Sequence, residues 1–361
     1  MTSVLGHTDQ PSLDRAHAKH TSSLAPALLP ATSMADRLRM FRWTLRRWSV
    51  RHIIYRLRLP ARRRRWGRER EELCRPFTKP EHARLTQGPA LVFGEFSGTH
   101  GLGRAAAYDV EMLRAHHNEI VQIDIGSYLA GQKPGPLELN GTFENIYFLC
   151  QPDTYGTICT LLRVQDISGA YRIGRWAWET PLFPTNWRFA EALVHEVWAP
   201  SEFCAKTFRS AVNVPVKVVP HAVTAPRADT GIDMRARLGI DPQAFMGLAI
   251  MDIRSCPERK NPWAHVRAWK AAFPEDVSAV LVMKLRVGKR TRVVIEELSE
   301  LIGDAGNIRL VTEDFTDAEI AALHHAADLY MSLHRSEGFG LNILEALMIG
   351  KPVVATHWSA N

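Results

Sequence analysis

Glu337 and Glu345 stand eight positions apart, with Gly338-Phe339-Gly340-Leu341-Asn342-Ile343-Leu344 between them. The apolar run before them, Leu329 to Leu333, reads as a buried strand. The apolar spacing after Gly340 reads as a helix that opens near Leu341. Gly338 and Gly340 allow backbone angles that side chains resist, and they let a ligand come close. A helix mouth offers unpaired N–H groups and the positive end of a dipole, which suits a phosphate. Glu337 falls in the loop and Glu345 one turn inside the helix, so both carboxylates can reach one ligand with a phosphate between them. The competing reading is an ordinary strand-turn-helix with two solvated glutamates.

Three other stretches carry candidate chemistry. Arg254 and Lys260 follow the apolar run Met246 to Met251 and precede a helix that starts near Pro262. A helix start is a poor place for cations unless an anion is bound there, although a solvated charge cluster would look the same. Gly101, Gly103 and Arg104 lie in a glycine loop after the strand Ala90 to Phe93, where doubly wound sheets bind ligands. Trp178 and Glu179 sit just past a strand end. Flat aromatic faces there suit sugar rings, and aromatic core packing with a capping Glu accounts for them equally well. Lys284 lies at another strand end and can face the same cleft.

The elements that must hold these residues alternate strand and helix. Strands are expected at Ala90–Phe93, Ile120–Ile125, Asn145–Leu149, Tyr171–Trp176, Val194–Ala199 and Val216–Val219. A second series follows at Met246–Met251, Ala279–Leu285, Ile308–Thr312, Leu329–Leu333 and Pro352–Thr356. That alternation implies α/β architecture with parallel sheets covered by helices. The 361 residues divide into a disordered tail (1–35), a basic amphipathic extension (36–88), a first domain (89–225), a connector (226–243) and a second domain (244–361). Ser201 is expected to cap a helix.

Charge is uneven. Residues 37–79 hold 16 Lys and Arg against three Glu, so the rest of the chain is net acidic although the whole carries +7. The extension combines arginines with Trp48, Trp66 and aliphatics at helical spacing. It can lie on an anionic membrane surface through 36–70, or pack on its own domain. No nucleic-acid partner is expected, because no recognisable nucleic-acid fold accompanies the arginines. Five cysteines without a Cys-x-x-Cys pair imply neither a disulfide framework nor a zinc site, and point to a reducing cytoplasmic setting. No apolar run is long enough for a transmembrane helix.

The run Glu337-Gly338-Phe339-Gly340-Leu341-Asn342-Ile343-Leu344-Glu345-Ala346, continued by Gly350-Lys351-Pro352-Val353-Val354, resembles the signature of the retaining, nucleotide-sugar-dependent glycosyltransferases of family four (glycosyl transferases group 1). The resemblance covers about residues 89–361 and implies the GT-B fold: two Rossmann-like domains facing a cleft, the second lacking its usual last elements. It implies a nucleoside diphosphate sugar as donor and a glycan or lipid-linked glycan as acceptor. Glu337 would hold sugar hydroxyls and Glu345 the nucleotide ribose. Arg254 and Lys260, which have the family's spacing, would grip the donor diphosphate with the amides of Gly338 to Asn342. Gly101 and Gly103 would help hold phosphates, with Arg104, Trp178 and Glu179 on the acceptor side. Relatives place a His in the Trp178–Glu179 loop; this chain does not. No Asp-x-Asp pair occurs, so no catalytic metal and no cofactor are expected. Two other classes stay open: a non-catalytic relative that binds a membrane or partner, and an epimerase or phosphorylase of similar fold.

Overall fold

Both apolar series form sheets. The computed structural model describes residues 65, 67–98, 101–131, 135–228, 231–274 and 276–361. The tail and the extension through residue 64 lie outside the described residues, and with them most of the proposed membrane-facing stretch. Strands β1 (Ala90–Gly94), β2 (Ile120–Asp124), β3 (Asn145–Leu149), β4 (Tyr171–Arg175), β5 (Glu196–Ala199) and β6 (Val216–Val218) make one sheet in the order β2-β1-β3-β4-β5-β6. Strands β7 (Phe245–Asp252), β8 (Ala279–Arg286), β9 (Ile308–Val311), β10 (Leu329–Ser332) and β11 (Val353–Ala355) make a second, β11-β10-β7-β8-β9. Every pairing is parallel. The expected α/β class with two Rossmann-like sheets is what the chain forms.

The helices that cover the sheets include α1 (Gly101–Arg114), α2 (Glu202–Arg209), α3 (Pro262–Ala272), α4 (Arg292–Ile302), α5 (Asp317–Ala326) and α6 (Leu341–Met348). They cover sheets whose central strands are buried on both faces, so β1, β3 and all of β8 but its last residue are buried. Ser201 caps α2, its hydroxyl accepting from the amide of Cys204 at 3.3 Å.

The strand order places the loops. β1 lies between β2 and β3, and β7 between β8 and β10. At such reversals the following loops part to opposite faces and leave a crevice beyond the strand ends. The loops after β1, β7 and β10 carry most of the residues singled out above.

Residues 67–77 are helical and dock on the first domain, burying Cys74 and Phe77 in its core. Buried Arg172 secures them by donating to the carbonyls of Phe77 and Ile167. Met234 and Ile240, near the end of the connector, are buried in the second domain's core. The described residues belong to one compact unit. No helix among the described residues is long and apolar enough to cross a membrane.

Candidate functional site

The loops after β7 and β10 are stitched together. The amide of Arg335 donates to the carbonyl of Arg259 at 2.8 Å, and Nδ2 of Asn261 donates to the carbonyl of Leu333 at 3.1 Å. Asn261 takes a left-handed conformation (φ 48°), which ends a short turn and starts α3. From α3, fully buried His265 accepts from the amide of Leu333 at 3.0 Å through Nε2, with Nδ1 3.2 Å from the carbonyl of Asn261. Those two contacts require a neutral ring. Burial and the neighbouring His334 lower its pKa to about 3.

Glu337 stands where these loops meet. Its Oε1 accepts from Nζ of Lys260 at 2.5 Å and from Nη1 of Arg259 at 3.1 Å, and lies 2.6 Å from Nδ1 of His334. Burial alone would raise this carboxyl's pKa. His334, Lys260 and Arg259 together hold it well below the usual carboxylate range. His334 is pushed down by burial, against the pull of Glu337. Arg259 and His334 were not singled out in the sequence. Arg259 is the residue next to Lys260, and His334 falls three before Glu337, so proximity to the motif was the available signal.

Glu345, on α6, is fully buried. Its Oε1 receives Arg104, from α1 of the first domain, and the hydroxyl of Tyr108 at 3.0 Å. Nη1 of Arg104 also reaches Oδ1 of Asn342 at 3.4 Å. Oε2 of Glu345 has no hydrogen-bond partner. It lies 3.6 Å from Nε2 of His324, whose two ring nitrogens are likewise unpartnered. Burial raises the pKa of Glu345 and, with Arg104 nearby, lowers that of His324 to about 4.

A cavity of about 150 Å³ opens beside these groups, lined among others by Gly101, Arg104, Lys260, Lys284, Arg286, Leu341 and Asn342. Neither glutamate lines it. Each stands behind a cation that does: Glu337 behind Lys260, Glu345 behind Arg104. A larger cavity of about 680 Å³ adjoins it between α1, α5 and residues 224–228, sharing Arg104, Asp317 and Ile320.

The other predicted residues fall as follows. Arg254 is turned onto Asp252, with Nη2 to Oδ2 at 2.6 Å and Nε to Oδ1 at 2.9 Å, and it does not line the cavity. Of the two glycines in the turn, only Gly340 needs its freedom (φ 84°). At Gly338 a Cβ would make only ordinary contacts, 3.4 Å from Sγ of Cys204 and 3.5 Å from the carbonyl of Trp178, so neither φ nor space demands glycine there. Ser201 donates to the Gly338 carbonyl at 2.7 Å. Phe339 meets the ring of His221 edge-on, 4.9 Å away. Gly103 is required by the loop before it, where a Cβ would come within 2.1 Å of the Gly98 carbonyl; Gly101 has open space. Glu179 pairs with Arg259 at 3.3 Å, and Ser336 donates to its carbonyl. Trp178 packs on Trp187 and donates to the carbonyl of Leu182 at 2.8 Å. Its contacts are those of core packing.

Two domains of this architecture, with their strand-end loops facing one cleft, define the GT-B class. Similar solved structures share the fold at low identity. HepE of Anabaena, in complex with UDP and glucose, is 16% identical over 75% of this chain and 81% of its own, with a TM-score of 0.53. Sucrose-phosphate synthase from Thermosynechococcus elongatus is 15% identical over 76% and 82%, TM-score 0.53. The E. coli trehalose-6-phosphate protein bound with UDP-2-fluoro glucose is 9% identical over 76% and 85%, TM-score 0.53. Residues 284–360 match the family model of glycosyl transferases group 1, so the resemblance read from Glu337 to Ala346 holds. No curated protein matches the sequence.

Proposed function

We propose that the protein is a glycosyltransferase that moves a hexose from a nucleoside diphosphate sugar to a hydroxyl acceptor with retention at the anomeric carbon. The observation that carries this is Glu337, held at Oε1 by Lys260 and Arg259 with His334 alongside, next to a cavity at the mouth of α6 whose wall carries four cations and three carboxylates. Among the described residues no hydrogen bond falls on its Oε2, which leaves that oxygen for a sugar hydroxyl. The leaving diphosphate gains charge as its bond to the sugar breaks. Lys260 and the first amides of α6 meet that charge without a metal, and Arg254 joins them once it leaves Asp252. Glu345 takes the ribose once Arg104 yields. The match to group 1 glycosyltransferases, and relatives crystallised with UDP, UDP and glucose or UDP-2-fluoro glucose, support this reading. The acceptor is a growing glycan or lipid-linked glycan, reached at an anionic membrane surface through residues 36–70.

A panel of radiolabelled nucleotide sugars offered to the full chain with glycan and lipid-linked acceptors tests this. The wild type transfers label, while Glu337→Ala and Lys260→Ala, folded by circular dichroism, do not. Unchanged turnover in both variants removes the site from the chemistry.

A further inference from the structure

β8 ends in a lysine and an arginine that the contacts above do not use. Lys284 and Arg286 are two positions apart and share one face of the strand, while Leu285 between them is buried in the core. Register sets Lys284 beside Ile250 and Arg286 beside Asp252 of β7, and these four residues line the small cavity with Lys260. Lys284 is only 5% exposed, yet its ammonium has no hydrogen-bond partner among the described residues; its nearest aromatic contact is the Phe315 ring, 5.2 Å away. Burial lowers its pKa, with Asp314 pulling the other way. Nη1 of Arg286 is buried and unpartnered. Three carboxylates share the wall: Asp252, occupied by Arg254, and Asp314 and Asp317. Among the described residues none of them forms an ion pair with Lys284 or Arg286.

A buried cation without a partner is costly, and proteins normally pair it or bind an ion there. Lys284, largely buried with its ammonium open to the cavity, and half-buried Arg286, with one buried nitrogen unpartnered, share a strand face opposite the amides of a helix mouth, a site that an anion completes. A cavity of about 150 Å³ that opens onto the larger one has room for a group the size of a diphosphate.

We propose that Lys284 and Arg286 are phosphate-binding residues that grip the donor's diphosphate together with Lys260. The proposal rests on the donor reading above and assigns the diphosphate its place in the cavity. The nucleoside then extends past Arg104 toward the larger space.

Calorimetric titration of the full chain with inorganic pyrophosphate, and separately with a nucleoside diphosphate sugar, tests it. Lys284→Met and Arg286→Gln are each expected to weaken pyrophosphate binding by on the order of tenfold or more, as loss of a charge-assisted contact does. The ligand-free melting temperature of each variant holds or rises, because an unpaired charge has gone. A purely structural lysine or arginine would lower that temperature and leave pyrophosphate affinity within about twofold of wild type; that outcome overturns the proposal, as does a wild type that binds no pyrophosphate. Pyrophosphate binding that depends on both residues, in a chain that ignores nucleotide sugars, would keep the anion site and discard the donor reading.

Discussion

The chemistry proposed for Glu337 depends on charge compensation. One oxygen of a buried carboxylate holds two cations and faces an imidazole, so its negative charge is what keeps Lys260 and Arg259 in place. Glu337→Gln keeps the shape and removes the charge. Breaking a buried pair from one side costs about 3 kcal/mol, because the remaining charges lose their counterion. Urea denaturation at pH 7 is expected to show that loss, and transfer should fall by on the order of a hundredfold or more, since the cations that meet the leaving group also shift. The acid limb changes as well. The folded-state pKa lies below the ordinary value of about 4.5, so the carboxylate's contribution is complete above that pH and is lost as pH falls toward the folded value. In the Gln variant, stability should therefore fall less steeply below about pH 4.5 than in wild type. Equal slopes for the two proteins would mean that Glu337 is not paired as described.

Two elements set the geometry: the end of β10 with its turn, and the N-terminus of α3. His265 clamps them as a neutral ring. Its folded-state pKa is about 3, below the ordinary 6.5. The unfolded chain thus takes up a proton that the folded one refuses, and stability drops as pH falls from 6.5 toward 3 by up to about 1.4 kcal/mol per pH unit. His265→Gln retains an acceptor for the Leu333 amide and cannot titrate, so its stability between pH 6.5 and 4 should be flatter than that of wild type. An unchanged pH slope would assign the effect to His324 or His334 instead. Gly340→Ala tests the other element. A left-handed angle costs a side chain about 1 to 2 kcal/mol, and the new Cβ would lie 3.1 Å from the carbonyl of Ala360. Thermal melts should show the loss, and Gly338→Ala, whose φ is ordinary, should lose less. Strand positions and the Glu337–Glu345 turn were legible in the sequence because apolar runs and glycines mark them. The partners of those glutamates were not. Whether Arg254 or Arg259 faces Glu337 depends on how a short turn winds at Asn261, and nothing in Arg254-Ser-Cys-Pro-Glu-Arg259-Lys260 records that.

At the scale of the molecule, the two domains meet through polar contacts at their loop ends: Ser201 with Gly338, Glu179 with Arg259 and Ser336, and Arg104 with Glu345. The last pair lies 241 positions apart in sequence. Strand pattern alone could not show it, because it exists only after both sheets form and face each other. Its position makes it a competitor. In the proposed reading a ribose can reach Glu345 only by displacing Arg104, because the carboxylate is fully buried, with Oε1 held by Arg104 and Tyr108 and Oε2 beside His324; Arg104 lines both cavities, with Asp317 and Ile320. A ligand with ribose hydroxyls but no phosphate must displace Arg104 and gives it nothing in return. A nucleoside diphosphate displaces it and offers it an anion. Arg104→Met should therefore raise affinity for a plain nucleoside while lowering affinity for the nucleoside diphosphate. The shift in each direction is expected at a few-fold to tenfold, about 1 kcal/mol. The ligand-free variant should also melt earlier, because Glu345 is left buried without its cation. Calorimetry with uridine and UDP on both proteins measures the two affinities. A variant that loses both ligands equally would show that Arg104 only supports the fold, and that the ribose does not compete with it for Glu345.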